Sequence, residues 1–316
     1  MELALRAARR AEFAAAVAPL IAELDRLGPP LRLAAADALL LPIADESVDA
    51  VYIASPHTLH LDQTLAAIEA GKAVLCEKPI TVDPGQCERI IAAAADATVY
   101  VMEAMWTWFL PAIRKAKQWV DEGRIGKLVQ IRADFGYPIQ PYAPDKREYD
   151  VALGGGALLD MGIYPVAFAT LFAQTEPLDI TAVSRHAPNG VEDHVVATFD
   201  YGDMIATLGT SFQARLPNRA YVIGDRGYIV LPNFWCAGEC QLWIGDDMTD
   251  RFEDGRTTNG FDYQIQSVNN PTTFRQRLNQ VTGAGQNEEE LELISDARIV
   301  PDERSNSLVV YSTKKD

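Results

Sequence analysis

The stretch between Val48 and Met102 constrains the fold most: short, mainly apolar runs alternate with helix-like segments at close spacing. Val48–Ala54 and Ala73–Cys76 have the apolar continuity of strands buried on both faces. Thr58–Ala70 reads as a helix closed by Gly71, and Asp83–Ala95 as a helix entered at Pro84, the favoured first helical position. Thr98–Met102 reads as the next strand. Parallel neighbours need a crossover between them, so this alternation predicts an α/β layer with a parallel sheet. At the end of its second strand stands Glu77-Lys78-Pro79, the edge where open α/β sheets place their ligands.

Upstream, residues 3–27 read as an amphipathic, Ala-rich helix and Leu31–Ala36 as a short strand. No Gly-x-Gly-x-x-Gly occurs there, and Gly28 is the single glycine before Gly71. The expectation is a Rossmann-type parallel-sheet domain over residues 1–103 that lacks its first strand and Gly-rich loop.

After residue 103 the texture changes. Pro111–Glu122 reads as a helix, Leu128–Asp134 as a strand and Ala157–Ala173 as a helix. Strand candidates then recur at Ile180–Arg185, His194–Asp200, Met204–Phe212, Ala220–Ile223 and Tyr228–Leu231, with Tyr201-Gly-Asp203 and Gly224-Asp-Arg-Gly227 as hairpin turns. This predicts an α+β domain over 104–270 with an open, mostly antiparallel sheet, and a homodimer formed through that sheet. Residues 271–316 read as an atypical tail, with the solvated runs Gly283-Ala-Gly-Gln-Asn and Glu288-Glu-Glu before two short strands, Ala297–Val300 and Ser307–Tyr311.

The 316 residues suffice for two domains, and the net charge of −16 argues against a nucleic-acid partner, which needs clustered Lys and Arg. No uninterrupted apolar run approaches the ~20 residues of a membrane span, and Met1-Glu-Leu-Ala-Leu-Arg does not open a signal peptide. The four cysteines, Cys76, Cys87, Cys236 and Cys240, form no disulfide framework, and Cys236 with Cys240 lacks further ligands for a metal. The expectation is a reduced, cytoplasmic protein without a metal site.

Three polar residues stand where chemistry would want them. Lys78 lies at a strand end, while Asp160 and Tyr164 fall in Gly154-Gly-Gly-Ala-Leu-Leu-Asp-Met-Gly-Ile-Tyr-Pro165. Their four-residue spacing predicts one helix face, and the glycine triplet predicts close approach to another domain. A lysine beside a tyrosine favours phenolate, which suits proton exchange in alcohol–ketone interconversion with hydride supplied by nicotinamide.

From about Val48 to Val268 the chain resembles the glucose-fructose oxidoreductase / inositol dehydrogenase family, and within it looks like the dihydrodiol dehydrogenases. The stretches that carry the resemblance are Val48-Asp-Ala-Val-Tyr-Ile-Ala-Ser-Pro-His-Thr-Leu-His60, Gly71-Lys-Ala-Val-Leu-Cys-Glu-Lys-Pro79, Met102-Glu-Ala-Met-Trp-Thr-Trp-Phe-Leu-Pro111, the Gly154–Pro165 run and Gly260-Phe-Asp-Tyr263. The resemblance implies NAD or NADP as cofactor and a small-molecule substrate. It implies Lys78, Asp160 and Tyr164 as the catalytic group, with Tyr164 the acid/base. It implies Ser55, Pro56, His57, His60, Glu77 and Lys78 along the cofactor, and Trp106, Phe135, Phe212 and Trp235 around the substrate. Trp108 stands where close relatives carry Arg, and both ends of the chain depart from the family pattern. Residues 31–50 are similar to a strand region of class I methyltransferases, and residues 297–311 to a periplasmic segment of secretins. The alternatives are a catalytically impaired binding or dimerisation module and, more distantly, a methyltransferase fragment.

Overall fold

The computed structural model describes residues 50–261, 263, 264, 297–302 and 307–312. The readings of 3–27, Leu31–Ala36 and 271–296 lie outside the described residues. The chain divides into two units: the described residues up to Ala104 with those from Phe261 onward, and Met105–Gly260.

Among the described residues, the first unit holds three parallel strands in the order β1 (Ala50–Ile53), β2 (Ala73–Cys76) and β3 (Val101–Glu103). A 3₁₀ turn (His57–Leu59) leads into helix α1 (His60–Glu69), and α2 (Pro84–Ala97) joins β2 to β3. Asp83 caps α2 by accepting the Gln86 N–H at 3.0 Å, and Pro84 supplies the first helical position. Val51, Ile53, Val74 and Cys76 of the strands pack with Leu61, Ala67 and Ile68 of α1 and Ile90 of α2. Continuous apolar strands are therefore those covered by helices, as the alternation requires. The hairpin of β12 (Ala297–Asp302) and β13 (Ser307–Ser312) groups with this unit.

The second unit is built on an eight-stranded sheet in the order β11-β10-β9-β8-β4-β7-β6-β5. Its strands are β4 (Leu128–Gly136), β5 (Asp179–His186), β6 (Glu192–Asp200), β7 (Ile205–Ser211), β8 (Arg219–Gly224), β9 (Tyr228–Pro232), β10 (Glu239–Ile244) and β11 (Asp247–Glu253). All neighbours are antiparallel except β4 and β7. The β10–β11 hairpin is an addition to the strands expected from sequence. Ile131, Ala133 and Phe135 alternate onto the covered face, together with Ala206, Leu208, Val222 and Ile229. Helix α3 (Pro111–Asp121) buries the stripe Ala112, Ile113, Ala116 and Trp119, and lies against β9–β11. Helix α4 (Ile163–Ala173) lies on β4 and β7.

Residues 151–173 are long and apolar enough to suit a membrane span. They are divided into a 3₁₀ turn, a π-turn (Leu158–Gly162) and α4, and Ala157, Met161, Phe168 and Phe172 are buried. The apolar content belongs to a helix packed on a sheet.

Candidate functional site

In the first unit the three strands run parallel, so the residues that follow them leave from one edge. After β1 come Ser55, Pro56 and His57; after β2 come Glu77, Lys78 and Pro79; Glu103 ends β3. Ser55 Oγ donates to Gln63 Oε1 at 2.7 Å, and the Pro56 carbonyl accepts the Leu59 N–H at 2.9 Å, which opens the 3₁₀ turn. His57 is buried, its ring edge-on to His60 at 5.9 Å.

His60 lies between the two loops. Its ring is fully buried, with Nδ1 2.8 Å from the Pro79 carbonyl and Nε2 2.9 Å from the Ser55 carbonyl. Each ring nitrogen faces a backbone carbonyl, and the one that carries the proton donates to it, so His60 joins the loop after β1 to the lysine loop. Burial drives its pKa below the ordinary value, against the pull of the two carbonyls.

Lys78 stands between two carboxylates. Glu77 is pinned through its backbone N–H to the Ile53 carbonyl at 2.8 Å, and its carboxylate accepts the Tyr52 hydroxyl and the Lys78 N–H. Glu103 Oε1 accepts the Ile80 N–H at 2.9 Å. Burial pushes both carboxyl groups up, and the Lys78 ammonium pulls both back. The Lys78–Pro79 peptide is cis. The two glutamates thus hold the lysine loop from either side.

In the second unit the site is built on Phe135, on the covered face at the end of β4. Tyr164, 7% exposed, sits in the first turn of α4 with its ring 5.1 Å from Phe135. Trp106, from a 3₁₀ turn (Trp106–Phe109), donates its indole N–H to Tyr164 Oη at 3.1 Å. Trp235, from another 3₁₀ turn (Phe234–Cys236), lies 5.1 Å from Phe135 and 5.8 Å from Trp106. Three of the four expected substrate walls therefore converge on the phenol. The fourth, Phe212, is fully buried and packs on Tyr149 at 5.5 Å, so it belongs to the core and not to this ring cluster. Tyr137 joins the cluster, 5.7 Å from Phe135 and 6.5 Å from Trp235. Its place two residues beyond Phe135 was a usable signal, since alternate residues of a strand share a face.

Asp160 falls inside the π-turn, where the backbone is wider than an α-helix, so a four-residue spacing no longer sets one face. Its carboxylate, 14% exposed, pairs with Arg147 Nη2 at 3.1 Å. Burial works against the Arg147 charge, but Asp160 and Glu148 outweigh it and raise its pKa. The glycine triplet serves this pairing. A Cβ on Gly155 would lie 2.6 Å from the Glu148 carbonyl and 3.0 Å from that of Arg147, so at this glycine the backbone closely approaches the Arg147 loop of the same unit. No periodicity announces Arg147, because a loop joins it to its partner. Trp108 donates its indole N–H to the Ala167 carbonyl at 2.9 Å. Cys236 and Cys240 are free thiols, and burial pushes Cys240 up to about 12.

The family comparisons fall on both units. A family model described as an oxidoreductase family with an NAD-binding Rossmann fold matches residues 2–105, and the GFO/IDH/MocA C-terminal domain matches residues 113–230. The first match reaches into residues 2–47, the segment set apart on sequence grounds. The chain is 36% identical over 197 residues to the trans-1,2-dihydrobenzene-1,2-diol dehydrogenase of Mus musculus, covering 62% of this chain and 58% of that protein. It thus spans less than two thirds of this relative's length. Among solved structures it superposes on an aldose-aldose oxidoreductase from Caulobacter crescentus crystallised with glycerol, with a TM-score of 0.65, 25% identity, and coverage of 78% of this chain and 80% of that one. It superposes also on a 3-ketoreductase from Actinomadura kijaniata in complex with NADP and TDP-benzene, with a TM-score of 0.64, 27% identity, and coverage of 76% and 77%. The parallel sheet with its lysine edge, the open sheet with its buried tyrosine, and these matches together make this chain a member of the GFO/IDH/MocA family of NAD-binding oxidoreductases.

Proposed function

We propose that this chain interconverts an alcohol and a carbonyl at a hydroxyl-bearing carbon of a small cyclic diol or sugar, with NAD or NADP. One observation carries the reading: Trp106 fixes the Tyr164 hydroxyl by a hydrogen bond inside a cluster of aromatic rings. Such a setting suits an apolar ring bearing hydroxyls, and the similarity to dihydrodiol dehydrogenases agrees with it. The 3-ketoreductase was also crystallised with one tyrosine changed to phenylalanine and with one lysine changed to alanine, the same two residue types.

The residues fit a nicotinamide cofactor at its reactive end. Ser55–His57 and Glu77–Pro79 leave the C-terminal edge of parallel strands, where dinucleotides lie, and Lys78 brings a cation there. The segment that would hold the pyrophosphate lies outside the described residues. When bound, the cofactor accepts or returns a hydride. In the second unit Tyr164 Oη would exchange the proton of the substrate hydroxyl, with Asp160 assisting as a carboxylate held by Arg147; in the first, Lys78 would supply a cation at the reactive end of the cofactor. The ring cluster excludes water from the phenol. The open face of the sheet would join two copies of the chain.

The absence of Gly-x-Gly-x-x-Gly favours a second reading, a family member retained as a binding module. Titration of NADH and NADPH, followed by nucleotide fluorescence, separates the two. Saturable binding supports the enzyme, and none at millimolar cofactor leaves the binding module. Given binding, Lys78→Ala and Tyr164→Phe should each lower kcat/KM by about 10²–10⁴-fold without loss of fold. Full turnover in either variant refutes that residue's role.

A further inference from the structure

The Trp235 wall is held by side chains from two separate parts of the unit. Three consecutive carbonyls follow that ring in the chain, and each accepts a side-chain donor. Thr107 Oγ1 donates to the Trp235 carbonyl at 2.7 Å, Arg256 Nη2 to that of Cys236, and Arg256 Nη1 to that of Ala237 at 2.9 Å. Arg256 is itself paired with Asp254 at 2.8 Å, with side chains only 11% and 4% exposed. Asp254 closes the device by bonding its backbone N–H to the Gly238 carbonyl at 2.9 Å.

Thr107 is the immediate neighbour of Trp106, the residue bonded to Tyr164. One turn is therefore tied to the indole that orients the phenol and to the indole that walls the ring cluster. Gly260 completes the arrangement. It has φ +96°, and a Cβ there would meet Leu110 at 2.6 Å and the Arg256 guanidinium at 3.5 Å. Gly260 thus lets the chain close over Arg256.

We infer that Thr107, Arg256 and Asp254 are positioning residues that set substrate ring selectivity by locking Trp235 against Phe135 and Trp106. This rests on the reading of Trp235 as a substrate wall. A neutral donor would hold these carbonyls without needing a partner. A buried arginine needs its carboxylate, and together they fix two carbonyls in one plane. Loosening the turn lets the indole swing, which weakens the fit of a flat or cyclic ligand more than that of a short acyclic one.

The test uses the full chain carrying Arg256→Lys, Thr107→Val or Trp235→Ala. Near-ultraviolet circular dichroism reads the tryptophan environment, and steady-state kinetics compares a cyclic vicinal diol with a short acyclic diol. Arg256→Lys should alter the near-ultraviolet bands at unchanged far-ultraviolet signal. It should raise KM for the cyclic diol by about ten-fold with kcat held within about two-fold, the pattern of lost binding that ground and transition states share. Thr107→Val, nearly isosteric, should do the same more weakly, and it carries the test if the lysine variant fails to fold. Unchanged bands and KM in a folded clamp variant overturn the inference, as does a fall in kcat at constant KM. If Trp235→Ala itself leaves KM for the cyclic diol unchanged, the substrate-wall reading fails, and the inference fails with it.

Discussion

Glu77 shows how one side chain can tune the lysine loop. Its carboxyl pKa is raised by burial, against the opposing effects of Tyr52 and Lys78, so the folded state holds its proton to higher pH than the unfolded chain. The sign follows from linkage: stability falls as pH rises from the ordinary 4.5 through the raised folded value. Glu77→Gln keeps an acceptor for Tyr52 and removes the charge. It should flatten that part of the stability-versus-pH curve and raise the melting temperature at neutral pH, as read by thermal unfolding at a series of pH values. An unchanged slope would show that Glu77 is not the group responsible. Lys78, Asp160 and Tyr164 were visible as candidates in the sequence because they fall in compact motifs. Arg147, Thr107 and Arg256 were not, because each meets its partner through tertiary packing across a loop or between separate turns. His60 is visible in its motif, but the sequence does not show that two backbone carbonyls enclose its ring.

At the scale of elements, the glycine triplet is a packing device before it is anything else. Gly155→Ala would press a Cβ against the Glu148 and Arg147 carbonyls and displace the loop that carries Arg147. The expected cost is about 1–3 kcal/mol of stability, the range for overpacking, measured by urea unfolding. Activity should fall further than stability does, because Asp160 loses its partner. A variant as stable as the parent would mean that the loop yields without strain. The strands of the first unit were legible because buried parallel strands are continuously apolar. The π-turn was not, because its residues satisfy an ordinary helical pattern. Strand β11 was missed because Asp247-Met-Thr-Asp-Arg-Phe-Glu253 is an edge strand whose polar residues mask the alternation.

At the scale of the whole molecule, the sheet face opposite α4 carries exposed apolar side chains among the described residues. Val183 and Val196 are paired neighbours on it, 59% and 48% exposed, in line with exposed Ile205 and with Tyr228 stacked on Trp243. If two copies meet there, Val196→Glu should shift sedimentation velocity from dimer to monomer at micromolar protein, because an unpaired charge would be buried in the interface. A dimer that survives this change forms elsewhere. The change of texture after residue 103 could be read in the sequence; the wall-locking turn could not, because its Thr107–Trp235 bond joins residues more than a hundred positions apart. The π-turn before Tyr164 also has a consequence in helical register. An α-helix takes 3.6 residues per turn and a π-turn holds about one more, so Leu158–Gly162 amounts to one residue inserted into a helix. All that follows is rotated by about 100° from where an uninterrupted α-helix would place it. Loss of a single codon in that stretch would let the helix run regularly and keep the tyrosine aimed at Phe135, whereas straightening the turn at full length would aim it away.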